Sequence, residues 1–129
     1  MFNWRRPTNL GVKDGRLAPC KRSPNCVSSQ ADPADREHYI APIPFRGAMP
    51  HLRRAVESME RSTVISATES YLYAEYRTPL LRYVDDLELF YDERSGLVHV
   101  RSASRLGRRD FGVNRKRVEA LRAILLSKT

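Results

Sequence analysis

The spacing of hydrophobic residues changes along this chain, and the changes predict where helices and strands lie. Apolar residues three or four positions apart predict a first helix from Ala48 to about Ser62, with a proline in its first turn. A second helix is expected to begin at Asn114, a residue type that favours the N-cap position. The predicted buried stripes are Leu52, Ala55, Val56 and Met59 in the first helix and Val118, Leu121, Ile124 and Leu125 in the second.

Between these helices, four segments have the β-branched, aromatic or alternating residues typical of strands. They cover residues 63–68, 69–77, 81–92 and 97–104. Strands that are grouped together, rather than alternating with helices, indicate an α+β fold. The sequence therefore predicts an antiparallel sheet of about four strands with two packed helices.

The last two predicted strands form a hairpin whose register follows from the hydrophobic pattern. Placing Asp92 opposite Leu97 leaves residues 93–96 as the connecting loop. Glu88 then faces Arg101 across the hairpin, and the two charges are opposite. A shift by one residue would mix apolar and polar side chains on both faces, so this register is favoured. The remaining predicted pairs are Tyr91 with Val98, Leu89 with Val100 and Leu87 with Ser102.

The first 47 residues are predicted to be mostly irregular, because prolines and glycines interrupt them at short intervals. Residues 38–41 and 43–45 read as short extended pieces, which the neighbouring prolines would confine to a sheet edge. We therefore expect an irregular extension over residues 1–16 and a single domain over residues 17–129.

Composition indicates a folded, basic, soluble protein. Hydrophobic residues make up 41% and charged residues 29%, which argues against wholesale disorder. The net charge of +8 favours an acidic partner such as a phosphorylated ligand, nucleic acid or an anionic surface, although a solvated basic surface is the alternative. No apolar run approaches the length of a transmembrane helix, and no signal peptide is recognisable. A cytoplasmic location is expected if Met1 is the natural start, and an exported form if residues before it are missing.

The basic stretch 101–117 is the main candidate for chemistry. Three cations, Arg115, Lys116 and Arg117, occupy the predicted first helical turn, where the helix dipole disfavours positive charge. Together with the glycines before the helix, they are suited to binding an anion. The alternative is internal neutralisation by acids of the strands and loop. The predicted ligand-binding residues are Arg101, Arg105, Asp110, Asn114, Arg115, Lys116 and Arg117, with Asp85, Asp86, Glu88, Ser23, Asn25 and Ser28 in support.

The cysteine segment around Cys20 and Cys26 has three interpretations. The pair could be structural, as a disulfide or as two thiols in a turn. Cys26 could be a nucleophile beside Lys21, with His38 as its base. A metal site of Cys20, Cys26 and His38 is the least favoured, because it lacks a fourth ligand and a close cysteine pair.

Two further patterns involve the aspartates and tyrosines of the predicted strands. Asp85 and Asp86 are adjacent in a strand and therefore point to opposite faces, so they do not form a carboxylate pair. The strand tyrosines Tyr71, Tyr73, Tyr76 and Tyr83 could stack on nucleic-acid bases, but tyrosines at strand spacing more often belong to a core or a sheet face.

Two segments of the sequence, residues 20–42 and 84–117, together resemble the family of domain of unknown function 1499. The resemblance runs from about Leu17 to the C-terminus, and Lys21 departs from the proline that usually follows the first cysteine of the pattern. The family includes proteins of bacteria and plastids, some of which look exported or lipid-anchored, and implies no established activity or cofactor. The resemblance places the recurrent polar residues of the family pattern at the following positions of this chain: Ser23, Asn25, Cys26, Ser28, Ser29, Asp85, Asp86, Arg101, Ser102, Ser104, Arg105, Asp110, Asn114 and Arg115.

These observations favour a non-enzymatic binding or accessory module without a cofactor. Its ligand would be an anionic small molecule or an acidic protein, held at the loop before the second helix. The cysteine loop is expected to pack over the hairpin end and the helix start, so that the polar residues form one pocket. The alternatives are a cysteine-dependent hydrolase or transferase that uses Cys26, and a weak nucleic-acid binder.

Overall fold

The structure, a computed structural model, describes residues 5–79, 83–107 and 109–127. An α+β fold is present, as the sequence predicts: two helices and an antiparallel sheet share one apolar core. The elements, in chain order, are β1 (Cys26–Ser28), β2 (Ile43–Pro44), α1 (Met49–Glu57), β3 (Ser62–Ala67), β4 (Tyr71–Arg77), β5 (Val84–Asp92), β6 (Leu97–Ser104) and α2 (Val113–Leu126).

Within the described residues the sheet has six strands, so the prediction of about four was too low. The order is β1-β6-β5-β4-β3, and β2 pairs with a separate part of β6. Both additional strands lie in the segment that was expected to be mostly irregular. β2 falls in the predicted extended piece 43–45, whereas β1 has three residues, too few to show an alternating pattern.

The predicted hairpin register is confirmed along the whole β5–β6 pair. Asp92 faces Leu97, Leu89 faces Val100 and Glu88 faces Arg101. The apolar face of this hairpin, with Leu87, Leu89, Val98 and Val100 fully buried, packs in the core with the helices. The opposite face of the sheet, called the outer face below, contains Asp86 and Glu88 of β5 and Arg101 of β6.

The first helix ends earlier than predicted, at Glu57 rather than near Ser62. In the turn that follows, Arg61 has a positive φ of 63°, and the chain reverses there into β3. The Ser62 hydroxyl then bonds the carbonyls of Val56 and Met59, each at 2.8 Å, and this fixes the turn. Met59 still packs against the core, although from the turn and not from the helix.

The predicted N-cap of the second helix was also wrong. Gly112, with a φ of 78°, is the N-cap residue, and the helix begins at Val113. Asn114 lies in the first turn and is completely buried. Its amide is used for tertiary hydrogen bonds instead, as described below.

Residues 5–16, expected to be an irregular extension, contact the outer face of the sheet. Arg6 pairs with Glu75 at 2.9 Å, and the backbone N–H of Gly11 donates to Glu88 at 2.7 Å. The predicted strand start at Leu81 and the basic residue Arg108 lie outside the described residues. Within the described part of the chain, no helix has the length and hydropathy needed to cross a membrane.

Candidate functional site

The two adjacent aspartates of β5 point to opposite faces of the sheet, as predicted from strand geometry. Asp85 faces the helices and pairs with Arg117 of α2 at 2.8 Å. Burial raises the pKa of Asp85, although the Arg117 guanidinium opposes this effect. Asp86 is on the outer face and pairs with Arg105 at 2.8 Å. The acids that were expected to support one site therefore belong to two.

On the outer face, Arg105 is the centre of a compact ionic network. It bonds both oxygens of Asp86, at 2.8 and 2.9 Å, and one oxygen of Glu75 at 2.6 Å. The hydrogen bond to Asp86 raises the pKa of Arg105 above its ordinary value despite burial. Burial alone would raise the pKa of Glu75, but hydrogen bonds from Arg6 and Arg105 outweigh it, and the net pKa is lowered. Arg105 is thus held by acids of the protein itself.

Arg101, the neighbour of Arg105 on the same face, is far less completely satisfied. Its guanidinium approaches Glu88 only to 3.8 Å, a charge contact without hydrogen-bond geometry. One terminal nitrogen donates to the Pro19 carbonyl at 3.4 Å. The Arg101 Nε and the Glu88 Oε1 are buried without a hydrogen-bond partner among the described residues. Burial lowers the pKa of Arg101, and the nearby Glu88 and Asp86 oppose that shift.

Glu88 is oriented by groups other than Arg101. Its second oxygen accepts from the Tyr71 hydroxyl at 2.6 Å and from the Gly11 N–H at 2.7 Å. Burial, together with the hydrogen bond to Glu88, raises the pKa of Tyr71, so the phenol stays protonated and remains a donor. The carboxylate is fully buried and is held by these two donors. This leaves the Arg101 guanidinium with unused hydrogen-bonding capacity in a buried position.

A cavity of about 580 Å³ opens beside Arg101. Among the described residues, four cations line it, Arg5, Lys21, Arg101 and Arg105, against one carboxylate, Asp86. Arg5 and Lys21 are exposed, whereas the Arg101 side chain is 7% exposed. The other lining groups come from the N-terminal segment, the cysteine loop and the end of β6: Pro7, Thr8, Asn9, Ser23, Asn25, Cys26, Ala103, Ser104, Leu106 and Gly107.

The cysteine loop reaches this cavity through Ser23 and Asn25. The Ser23 hydroxyl donates to Asn25 Oδ1 at 2.9 Å, and Asn25 Nδ2 donates to the Gly107 carbonyl at 2.6 Å. Ser28 does not line the cavity, and its hydroxyl accepts from the Gln30 N–H at 3.1 Å. The loop therefore packs over the end of the hairpin, and Asn25 is the residue that joins the two.

Cys26 is bonded to Cys20 in a disulfide, one of the structural interpretations of the pair. A disulfide sulfur has no thiolate lone pair to attack a substrate, so Cys26 is not a nucleophile in this state. His38 is not placed as a base either. Its Nδ1 lies 2.8 Å from Asp35, and its Nε2 lies 2.9 Å from the Ser23 carbonyl. Because both partners are acceptors, the protonated imidazole donates from both ring nitrogens, and in that state it has no free lone pair.

Because protonated His38 donates two hydrogen bonds, we expect the thermal stability of the protein to depend on pH. Burial alone would lower the pKa of His38, but the bonds to Ser23 and Asp35 outweigh it, and the net pKa is raised. The stabilisation is therefore complete below the unfolded value of about 6.5 and is lost as pH rises through the higher folded value. We expect His38→Gln to lower Tm by about 3 °C at pH ~5.5 and by much less at pH ~8.5.

Thermal unfolding of wild type and His38→Gln at the two pH values measures this difference. The matched control is His51→Gln, because the His51 side chain is exposed and forms no hydrogen bond with a described residue. An equal loss of Tm at both pH values would show that His38 does not act through its charge.

The helix start, the other half of the predicted site, lies on the opposite side of β6 from the cavity. Arg115 donates to the Arg36 and Glu37 carbonyls at 3.2 and 3.4 Å. Lys116 is exposed and has no described side-chain partner. Arg117 pairs with Asp85, and its guanidinium lies 4.5 Å from the centre of the Tyr76 ring. None of these three lines the cavity beside Arg101.

Asp110 explains why three cations are tolerated at this helix start. Its carboxylate accepts from the backbone N–H groups of Gly112 and Asn114, at 2.9 and 3.1 Å. A negative charge therefore occupies the position that the helix dipole favours. Asp110 bonds Asn114 at the helix start, and Asp85 pairs with Arg117. For these two acids, the alternative to an external anion applies: acids of the protein itself balance the basic residues.

Several residues of the cavity and of the ionic network around Arg105 were not identified from the sequence as site residues. Glu75, Tyr73 and Tyr71 alternate along β4 and face Asp86 and Glu88 of β5. This period-two pattern of polar groups was a usable signal for an outer face with its own network. Tyr73 and Tyr76 are buried, so their rings are not available to stack on bases. The described residues hold no group of three or more His, Cys, Asp or Glu side chains that could bind a metal ion.

Comparison with protein families gives one match, to the model described as "Protein of unknown function (DUF1499)", over residues 16–125. The chain belongs to this family. The match confirms the resemblance seen in the cysteine segment and in the β5–α2 region. The family model covers every residue of the cavity except those of the N-terminal segment. No curated protein and no solved structure matched the chain.

Proposed function

We propose that this protein is a binding module for a small anion, which occupies the cavity beside Arg101. The observation that supports this most strongly is the buried Arg101 Nε, which has no partner among the described residues. A buried donor without a partner costs about 1–3 kcal/mol, and more when it is charged. An anion in the adjoining cavity would place negative charge beside the Arg101 guanidinium and would accept a charge-assisted hydrogen bond from it.

The charges around the cavity support an anion rather than a neutral ligand. Arg105 is balanced by Asp86 and Glu75 within the protein. Arg5 and Lys21 have no described acidic partner and lie at the cavity lining. Among the described residues, the acid that pairs with Arg101 is Glu88, and the distance between their charged groups is 3.8 Å. The excess positive charge is thus carried by Arg101, Lys21 and Arg5. The proposed binding site is therefore this cavity and not the helix start.

Phosphate and carboxylate groups are the ligand chemistry that fits. The planar guanidinium of Arg101 presents several N–H donors in a fixed geometry that matches such oxyanions. The cavity, about 580 Å³, is large enough for a small metabolite bearing one of these groups. Ser23 and Asn25 at its edge could contact the rest of the ligand.

We expect Lys21→Gln to weaken binding of inorganic phosphate or citrate by about threefold to tenfold, as measured by calorimetry at low salt. Lys21 is exposed, so this variant should fold normally. Arg101→Lys keeps the charge but removes the Nε donor, and we expect a loss of about tenfold. Lys116→Gln is the matched control, since it removes an exposed lysine at the helix start and should leave affinity unchanged.

Two results would contradict the proposal. One is the absence of binding of either anion to wild type at low salt. The other is a loss of affinity in Lys116→Gln without a loss in Lys21→Gln, which would return the site to the first turn of α2.

A further inference from the structure

A second cavity, of about 690 Å³, lies on the helix side of the molecule, away from Arg101. It is formed by β2, by one face of α1 and by the end of α2. Its floor is apolar and includes fully buried Ile43 and partly buried Leu125. Phe45, also in the floor, packs edge-on against Tyr91, with 5.3 Å between the ring centres. At its edge Leu126 is 63% exposed, although it is a large apolar residue.

Among the described residues, the ionisable side chains at the edge of this cavity are basic. His51, Arg54 and Ala55 share one face of α1 because they are three and four positions apart, and Arg46 lies just before the helix. The side chains of Arg46, His51 and Arg54 form no hydrogen bond or ion pair with any described residue. Arg122, the remaining cation, is engaged by Glu119 and by the carbonyls of Ala41 and Pro42. No acidic residue of the described part of the chain lines the cavity.

We infer that this groove binds a single-chain anionic amphiphile, a fatty acid, with its alkyl chain on the apolar floor and its carboxylate among Arg46, His51 and Arg54. The volume lies within the range of about 300–1,000 Å³ that small-molecule sites occupy. An apolar floor accounts for the chain, and a cationic edge without acids accounts for the sign of the head group. Exposed Leu126 would be covered by the bound chain. The inference is independent of the anion cavity beside Arg101.

The probe is sodium laurate below its micelle concentration, with dodecyltrimethylammonium as the cation of equal chain length and acetate as the head group alone. We expect laurate to bind in a saturable manner and to shift backbone amide resonances in β2, α1 and the end of α2. Dodecyltrimethylammonium should bind at least about tenfold more weakly, and acetate should not shift these resonances. The double variant Arg46→Gln/Arg54→Gln should weaken laurate binding by about tenfold.

The matched control is Arg53→Gln on the other face of α1, where Arg53 pairs with Glu57 at 3.0 Å. It should leave laurate affinity unchanged. Equal binding of the anionic and cationic amphiphiles would overturn the inference, since the groove would then be only apolar. Resonance shifts confined to the cavity beside Arg101 would overturn it as well. So would concentration-dependent dimerisation that Leu126→Glu abolishes, because a second copy of the chain would then cover the groove.

Discussion

Replacing Arg105 with methionine is expected to lower the free energy of unfolding by about 3–5 kcal/mol, the usual cost of removing one partner from a buried ion network. The Arg105 side chain is 8% exposed, and its partners Asp86 and Glu75 are 2% and 10% exposed. Without the guanidinium, these two carboxylates would face each other in a poorly hydrated position. Arg6 would remain for Glu75, but no other described cation pairs with Asp86. Urea unfolding of the two proteins measures the difference.

The cause is testable through a rescue. Asp86→Asn in the Arg105→Met background removes the orphaned charge and should restore roughly half of the lost stability. The control is Arg53→Met, because the exposed Arg53–Glu57 pair should contribute no more than about 0.5 kcal/mol. A loss below about 1 kcal/mol in Arg105→Met would show that water reaches the network and screens it.

Asn114→Ala is expected to destabilise the protein by about 3 kcal/mol, because the fully buried amide joins four parts of the chain. Its Oδ1 accepts from Ser102 and Arg117, both at 2.7 Å. Its Nδ2 donates to Asp110 at 2.8 Å, and to Ser104 and the Asn25 carbonyl at 2.9 and 3.3 Å. Alanine would leave these groups without that partner and would create a small cavity.

The Asn114→Asp variant tests the hydrogen bonds of this side chain while leaving its size almost unchanged. The aspartate has almost the same shape, but it would place an acceptor against the Asp110 carboxylate, where Nδ2 now donates. We expect this variant to be at least as destabilised as Asn114→Ala near neutral pH and to regain stability in acid. Asn9→Ala, at an exposed position, should change stability by less than about 0.5 kcal/mol. If Asn114→Ala lost less than about 1 kcal/mol, the amide would not be the link described here.

The β5–β6 hairpin shows what the sequence can predict well. Leu87 and Leu89 alternate with Asp86 and Glu88, and a shift by one residue would bury the acids in the core. The pattern therefore allowed one register. The same alternation correctly separated Asp85 from Asp86, and with it the two faces of the sheet.

The helix start shows why pattern alone was insufficient. Asparagine favours the N-cap position, so Asn114 was expected to begin α2. Gly112 is the N-cap instead, in a left-handed conformation that glycine adopts without strain. The N–H groups of the first turn are satisfied by Asp110 from the preceding loop. A capping bond from outside the helix depends on the loop conformation, which residue preferences do not specify.

The cavity beside Arg101 was the least predictable part, because its walls come from distant segments. Arg105 was expected to contact a ligand, yet Glu75, which is 30 residues away in the chain, holds it. Arg5 approaches the cavity because the N-terminal segment lies on the outer face, and Lys21 approaches it because the cysteine loop pairs with β6. The sequence indicated that Ser23, Asn25, Arg101 and Arg105 share a pocket, and the structure brings them together. It places Asn114 and Arg117 on the other side of β6.

The most direct test of the anion site is a proton–nitrogen NMR titration of the Arg101 Nε–H group with inorganic phosphate at low salt. If the cavity binds the anion, this resonance should shift in a saturable manner, and its exchange with water should slow as the buried donor gains a partner. The backbone amide of Lys21 should titrate with the same affinity. A constant Arg101 Nε–H resonance, with saturable shifts only at Lys116 and its neighbours, would contradict the account.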